Sequence, residues 1–584
     1  RPTGQLGGYV LAIRGSTSAQ DWLGANAQLV LMDRAYAQSA AMYDFIELLR
    51  TPQSQGGYGI GNFTQVDFDV VGHSLGGHLV QRLVSEHPDW ISQAYTFNGA
   101  GLGANLSQGF TVAALTNALR SAWLTFDGSP TDATNIIGEP GIDIVPSAAT
   151  GPRLGDPVVI FQEDQGTFAI PGNHGIEFQV DALVVYRVFE ALAGTAQFDA
   201  AAVRDILRAC SNDNFASLEA AISFVNTLPD VGSSVRVTTG QRENLHATAI
   251  ALEAALSAPP SGVTFGLQSL VKLAPDLIAA LAGGDTVNGR AARYALAQGM
   301  PFLVTGVTYG AEYDLANFTA EYLSDRAQYL HNLWERNAAD VSFVTSIDPN
   351  VVYNDRASNT WLANVANWQG VPNAKYVMFG TNPDANGIGG DDQIEGGGLN
   401  DRLFGAGGSD HLLGGAGDDL LDGGKGDDIL EGQGGATIAN GGVGRDTYRL
   451  SEGDGHLTIH GDDGRGDGAG NADVISILGS ASYTLGNTQL QRLAAGGDVY
   501  TDDHDNRFTL VGTTLQVVLS DGRSLSVEEF QSGDFGIDLV AATDMAPATA
   551  PGGSDTFDVT PSSPPSGTVN EVGQYPPNTT VPFT

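Results

Sequence analysis

The sequence predicts a multidomain chain. An α/β domain with a mostly parallel sheet occupies residues 1–195, a helical extension 196–345, a connection 346–386, a parallel β-roll 387–449 and a β-rich C-terminal cap 450–545, followed by a Pro/Ser/Thr/Gly-rich tail over 546–584. Three observations carry this reading. Short apolar strands alternate with helical stretches as far as about residue 195. The apolar period then becomes helical. From Gly387 to Arg449 the chain counts in nines.

In the first domain Tyr9–Ile13 reads as a strand, and Val66, Phe68 and Val70 alternate with Asp67 and Asp69 in the next. A helix from about Leu75 to Glu86 follows. Ala94–Phe97, Asn135–Ile137 and Val158–Phe161 supply further strands. Gly72-His73-Ser74-Leu75-Gly76 satisfies Gly-x-Ser-x-Gly, a weak signal alone in a chain with 77 glycines. Its position makes it strong, because Ser74 falls where a strand must turn sharply into a helix, and glycines at 72 and 76 tolerate such crowding.

A serine hydroxyl attacks well only when a base takes its proton and a carboxylate orients that base. His174 is the only histidine between His87 and His246, so it is the expected base, and His73, His78 and His87 are expected to be structural. Asp143 is the first choice for the acid, with Asp132 and Glu139 as alternatives. The backbone N–H of Leu75 is one expected donor to the oxyanion, and a loop after an earlier strand should supply the other. Leu29 to Met32 form an apolar run that is costly to expose unless something covers or uses it. Residues 22–49 are therefore read in part as a lid, with a buried helix as an equal explanation of the second half.

In the helical region Val203, Ile206, Leu207 and Cys210 share one face, and Leu218, Ala221, Ile222 and Val225 repeat the spacing. No catalytic constellation appears there, and it reads as a structural extension or spacer.

In the nines, position six carries Asp392, Asp401, Asp410, Asp419, Asp428 and Asp446, interrupted by Thr437. Position eight carries Ile394, Leu403, Leu412, Leu421, Leu430, Ala439 and Tyr448, and glycines crowd the first four positions. Each unit describes one half-coil of a β-roll, with one aliphatic turned inward. Stacked carboxylates and glycine carbonyls are hard oxygens of the kind Ca2+ takes in six- to eightfold coordination. Beyond the repeats, Leu515, Val517 and Leu519, a turn at Asp521-Gly522, and Leu525 and Val527 read as a hairpin that caps the roll. The tail cannot bury a core and reads as a linker or disordered.

The chain's 584 residues with 42% hydrophobic content suffice for two to four domains. A net charge of -40 argues against nucleic acid and anionic membrane surfaces as partners, and suits a protein that binds divalent cations. Cys210 is the only cysteine, so no intramolecular disulfide forms. No apolar run is long enough for a transmembrane segment; Val263–Gly284 is broken by Lys272, Pro275 and Asp276. The chain opens at Arg1 almost directly into a strand, without an initiator Met or an N-terminal signal, which leaves room for an upstream segment.

The nonapeptides resemble the repeats-in-toxin (RTX) family, whose units read GGxGxDxUx. Gly414–Asp422 and Gly423–Glu431 match at every defined position, while Leu399 and Ala406 replace glycines in looser units. That resemblance implies calcium-dependent folding and type I secretion from a Gram-negative bacterium, unfolded through the channel.

The first domain resembles the class 3, fungal-type lipases of the α/β-hydrolase fold. The likeness rests on Arg14-Gly15-Ser16 after a strand with Trp22 six residues beyond Ser16, Gly72–Gly76, Tyr95–Ala100, Asp143–Pro146 and Asn173–Ile176, in family order. It implies the order Ser74, Asp143, His174 in the triad, a second oxyanion donor at Ser16 and a mobile lid beginning at Trp22. Asn98 departs from the pattern, standing where glycine is more usual. The implied function is a secreted triacylglycerol lipase or carboxylesterase acting on lipid or another ester at an interface. The alternatives are a phospholipase A1 and, in another class, an RTX adhesin or toxin-like binding protein with a vestigial hydrolase.

Overall fold

The computed structural model describes residues 10–13, 36–57, 68–99, 126–127, 133–139, 153–162, 176–194, 196–210, 217–229, 231, 242–259, 261–339, 341–366, 369, 373–382, 390–460, 472–486, 490–493, 497–539 and 543–544. Strands β1 (Val10–Ile13), β2 (Phe68–His73), β3 (Ile91–Phe97), β4 (Ala133–Glu139) and β5 (Asp156–Phe161) form one all-parallel sheet in chain order. Parallel neighbours need crossovers. Helix α1 (Tyr36–Arg50) lies between β1 and β2, and α2 (Leu75–Glu86) between β2 and β3. On α2, Leu79, Val80, Leu83 and Val84 are buried against Val70, Ala94 and Ala133 of the sheet. On α1, Met42 and Ile46 turn into that core while Phe45 and Leu48 face outward. The second half of the lid stretch is thus a helix with one buried face. Residues 22–35 lie outside the described residues.

Among the described residues seven α-helices follow: α3 (Ile176–Ala193), α4 (Ala200–Cys210), α5 (Ser217–Thr227), α6 (Arg242–Ser257), α7 (Pro275–Ala282), α8 (Val287–Gln298) and α9 (Ala320–Ala339). The residues singled out by their helical spacing are buried on α4 and α5. One core runs from Ile160 and Phe161 on β5 through these helices to Tyr353, Val377, Phe379 and Phe404. A spacer would not share a core with both of its neighbours, so the helical region is a packed bridge between the α/β sheet and the roll.

The roll consists of two facing parallel ladders. Gln393–Gly397, His411–Gly415, Ile429–Glu431, Thr447–Leu450 and Val474–Ile477 stack in one. Arg402–Phe404, Leu420–Lys425, Thr437–Val443 and His456–Ile459 stack in the other. Successive nonapeptides alternate between the two, so each is half a coil. All seven position-eight side chains, from Ile394 to Tyr448, are 1% exposed or less and fill the interior.

The ladders extend beyond 387–449 in both directions. Val351–Asp355 and Lys375–Phe379 join the second ladder upstream of its first repeat. Downstream, Ser524–Val527 pairs in parallel with His456–Ile459, and Thr514–Val518 pairs antiparallel with it. The cap therefore continues the roll's own 13-stranded sheet and covers its open end. The tail lies outside the described residues.

Candidate active site and aspartate ladder

Ser74 sits between the last residue of β2 and the first of α2 with φ 58 and ψ -128, a region that side-chain-bearing residues occupy only under strain. Its backbone N–H donates to the Phe97 carbonyl at 3.1 Å and its carbonyl accepts from Gly77 at 2.9 Å, so both neighbouring strand and helix hold it there. A Cβ on Gly72 would stand 2.3 Å from the Gly76 carbonyl oxygen, which explains the first glycine. The other tight approach falls at Gly77, where a Cβ would meet the Cα of Gly99 at 2.5 Å. Leu75 begins the helix directly after the serine, placing its backbone N–H at the free N-terminus of α2.

Asn98 resolves the departure noted at the following turn. It adopts φ 42, which asparagine tolerates better than most residues. Its N–H donates to the Ile136 carbonyl at 2.9 Å and its side-chain oxygen accepts from the Gly138 N–H at 3.0 Å, tying the ends of β3 and β4 together. Beneath the elbow, Asn135 accepts from Thr96 and Gln81 in a buried polar knot.

Asp143, His174, Ser16, Trp22 and Asp132 lie outside the described residues. Glu139, the other alternative acid, is engaged elsewhere: its carboxylate pairs with Arg208 of α4 at 2.6 Å. Of the histidines near the elbow, His78 is fully buried in α2, and His87 stacks on Trp90 at 3.7 Å with Tyr43 edge-on.

The six aspartates of the nines line the turns of the roll. Asp410, Asp419, Asp428 and Asp446 each accept, through Oδ1, the backbone N–H of the aspartate one full coil earlier, at 2.7–2.9 Å. Asp473 continues this ladder by accepting from Asp446 at 2.8 Å, 27 residues on. It keeps the count of nines but follows a stretch without repeats, so no periodicity in the sequence announces it.

A second ladder runs in the opposite sense. Position-five side chains Asp391, Asn400, Asp418 and Asp427 accept backbone N–H groups of Ser409, Asp418, Ala436 and Arg445 in the next coil. The motif leaves position five undefined, which hid this role.

The aspartates are not equivalent. Asp392 is held by Arg356, whose Nε lies 2.9 Å from Oδ1, and by the Thr381 N–H and hydroxyl. Asp401 accepts from the N–H groups of Tyr376 and Gly397. In contrast, Oδ2 of Asp410, Asp419 and Asp428 is buried without a hydrogen-bond partner. These oxygens lie against Gly405, Gly414 and Gly423, where a Cβ would approach them to 2.4–2.5 Å, and the Gly423, Gly432 and Gly441 carbonyls line the same three spaces. Carboxylate and carbonyl oxygens converging on a cradle without side chains fit a hard cation such as Ca2+. Burial pushes Asp410 up to about 7, Asp419 to about 6 and Asp428 to about 9, and neighbouring carboxylates add to the rise. A resident cation would offset that cost. At Thr437 the hydroxyl takes the aspartate's place against Gly432.

Among the described residues no helix is long and apolar enough to cross a membrane. No family model and no curated protein matches the chain. Among solved structures it is similar to the solution structure of the AlgE6R3 subunit from the Azotobacter vinelandii mannuronan C5-epimerase, at 21% identity over 32% of this chain and 98% of that one, with a TM-score of 0.09. A score that low superposes too little backbone to bear on fold or function.

Proposed function

We propose that the chain is a secreted lipase-type carboxylic-ester hydrolase of the α/β-hydrolase fold, joined through its helical bridge to a calcium-binding roll. The observation that carries this is the strained Ser74 at the β2–α2 turn, with φ 58 and ψ -128. Strain of that kind persists where it serves a purpose, and here it sets the hydroxyl at the carboxyl edge of a parallel sheet, beside the N-terminus of α2.

In this reading Ser74 attacks the ester carbonyl while His174 takes its proton, with Asp143 orienting the imidazole. The oxyanion is held by the Leu75 N–H and by Ser16, each donor worth about 3 kcal/mol in the barrier. His174 then protonates the departing alkoxide, and a water activated by the same histidine releases the acid. Trp22 begins the lid that gives the lipid substrate access. The roll's Asp410, Asp419 and Asp428, with Asp392, Asp401 and Asp446 at neighbouring coils, supply the calcium sites. Calcium on the order of 0.1–1 mM is typical for extracellular modules, so the roll folds after export by a type I secretion system of a Gram-negative bacterium. Folding is driven by metal binding through linkage.

The test is hydrolysis of p-nitrophenyl esters, triglycerides of graded chain length and phosphatidylcholine by the chain and by Ser74→Ala. Loss of all hydrolysis in the variant is expected. Retained activity removes Ser74 as nucleophile, and phosphatidylcholine as the best substrate replaces the lipase with a phospholipase A1.

A further inference from the structure

The outer face of the roll's longer sheet carries two ranks of side chains that the calcium reading does not use. Strand register sets Leu420 beside Ile438 and Ile438 beside Thr458, and it sets Asp422 beside Asn440. Beyond Asn440 the polar rank continues to His460, whose ring contacts the Glu528 carboxylate on the next strand. Where the N-terminal turn of α9 crosses this face, it encloses a cavity of about 220 Å³ that Glu321 also lines. Asp422 is buried and bonded to the Thr319 hydroxyl at 2.5 Å, while the His460 side chain is exposed.

The chemistry of this lining is specific. Three carboxylates, Asp422, Glu321 and Glu528, face the cavity; no Lys or Arg is among its lining residues, and the one histidine there, His460, contacts Glu528. Two cations on the same sheet are committed elsewhere: Lys425 donates to the Glu312 carbonyl and Arg402 pairs with Asp325. Asp422 is buried, and its carboxyl is pushed up to about 6 by that burial, with Glu321 adding to the rise. The cavity thus favours positive charge.

It does not suit a single metal ion. Glu528 stands three strands from Asp422, roughly 14 Å at the usual inter-strand spacing, so those carboxylates cannot converge on one ion. The volume is several times one water's share of about 30 Å³; Asn440 and His460 stand in register between the acidic ends, and the aliphatic rank of Leu420 and Ile438 runs alongside them.

We propose that this groove binds a linear aliphatic polyamine, with one ammonium group at Asp422 and Glu321, the other at Glu528 beside His460, and the methylenes crossing Asn440 with their flank against Leu420 and Ile438. The amide of Asn440 and the Thr458 hydroxyl accept from an inner ammonium or from the chain's hydration. The long axis of the ligand follows the stacking direction of the roll, so length as well as charge is read.

The experiment is titration calorimetry of the full chain in saturating calcium with spermidine, 1,3-diaminopropane and magnesium chloride. We expect saturable one-to-one binding of spermidine. It should weaken at least tenfold in the Glu321→Gln/Glu528→Gln double variant and in Ile438→Lys, which brings its own ammonium into the groove. These sites are on the surface, and melting in calcium should not change. The short diamine, unable to span the two ends, should bind at least tenfold more weakly. The proposal is overturned by the absence of saturable heat, by equal binding to the variants, by equal affinity for the short diamine, or by magnesium giving the same variant-sensitive heat.

Discussion

The backbone N–H of Asp410 donates to Oδ1 of Asp428 at 2.7 Å, while Oδ2 of Asp428 stays buried without a hydrogen-bond partner. One oxygen of the carboxylate is tied into the fold and the other is not. The same division holds at Asp410 and Asp419, so the side chains that set the roll's backbone register also carry the oxygens on which the proposed cation sites rest.

The pH dependence of the metal-free roll follows. Asp419, Asp410 and Asp428 have folded-state values raised to about 6, 7 and 9, above the roughly 3.9 of an unfolded aspartate. The folded state then binds more protons than the unfolded one, so this contribution is fully present below about pH 4 and is lost as pH rises through the folded values. In EDTA the roll should melt at a higher temperature at pH 5 than at pH 8. Calcium requires the deprotonated ligands, so its stabilising increment should grow over the same interval. Asp428→Asn keeps the acceptor for Asp410 and should flatten both trends. Parallel pH profiles with and without calcium would count against the cation site.

At the elbow, Ser74→Ala should abolish ester hydrolysis, by a factor on the order of 10⁵, with little change in melting because alanine suffers the same backbone strain. Ser74→Gly should be equally inactive yet more stable. Release of roughly 1–3 kcal/mol of strain exceeds the entropic cost of a glycine, for a net gain of about 1 kcal/mol. Melting temperatures of the two variants decide this, and a less stable Ser74→Gly would show that the turn is not strained.

How far these features were legible in the sequence depends on how local their cause is. The elbow could be read because a glycine-flanked serine between a strand and a helix dictates its own backbone. The inward stack from Ile394 to Tyr448 could be read because its period is uniform. Asp473 was missed because an insertion without repeats separates it from Asp446, although the count of nines still reaches it. Val351–Asp355 and Lys375–Phe379 carry no repeat signature and join the roll only through pairing. The bridging role of the helices depends on contacts such as Thr319 to Asp422 and Lys425 to Glu312, across 103 and 113 residues, which no periodicity announces.

Ala406 stands where the repeat favours glycine, and its φ is 76. A left-handed alanine costs roughly 1–2 kcal/mol, partly returned as glycine's extra unfolded-state entropy. Ala406→Gly should therefore stabilise the calcium-loaded roll by about 0.5–1 kcal/mol. The converse change, Gly415→Ala, faces φ 96 and a Cβ 2.2 Å from the Gly397 carbonyl oxygen, and should destabilise it by more than 2 kcal/mol. Calorimetric melting of both variants in calcium checks the pair. A neutral Ala406→Gly would show that the looser unit has relaxed at no cost.

Phe404 on the roll stacks on Phe379 with ring centres 5.3 Å apart, and Tyr322 of α9 meets both rings edge-on. Thr319 and Lys425 add polar ties across the same junction. Because the helices and the roll share this core, metal removal should be felt beyond the roll. We expect chelation to lower the melting temperature recorded from helical circular dichroism at 222 nm, and Phe404→Ala, which costs about 3–5 kcal/mol for a buried phenylalanine, to do the same in calcium. The variant should also separate the unfolding of helices and roll into two transitions where the parent shows one. If the helical signal melts at the same temperature with and without calcium, the junction transmits nothing and the helical region behaves as the independent spacer that its sequence suggested.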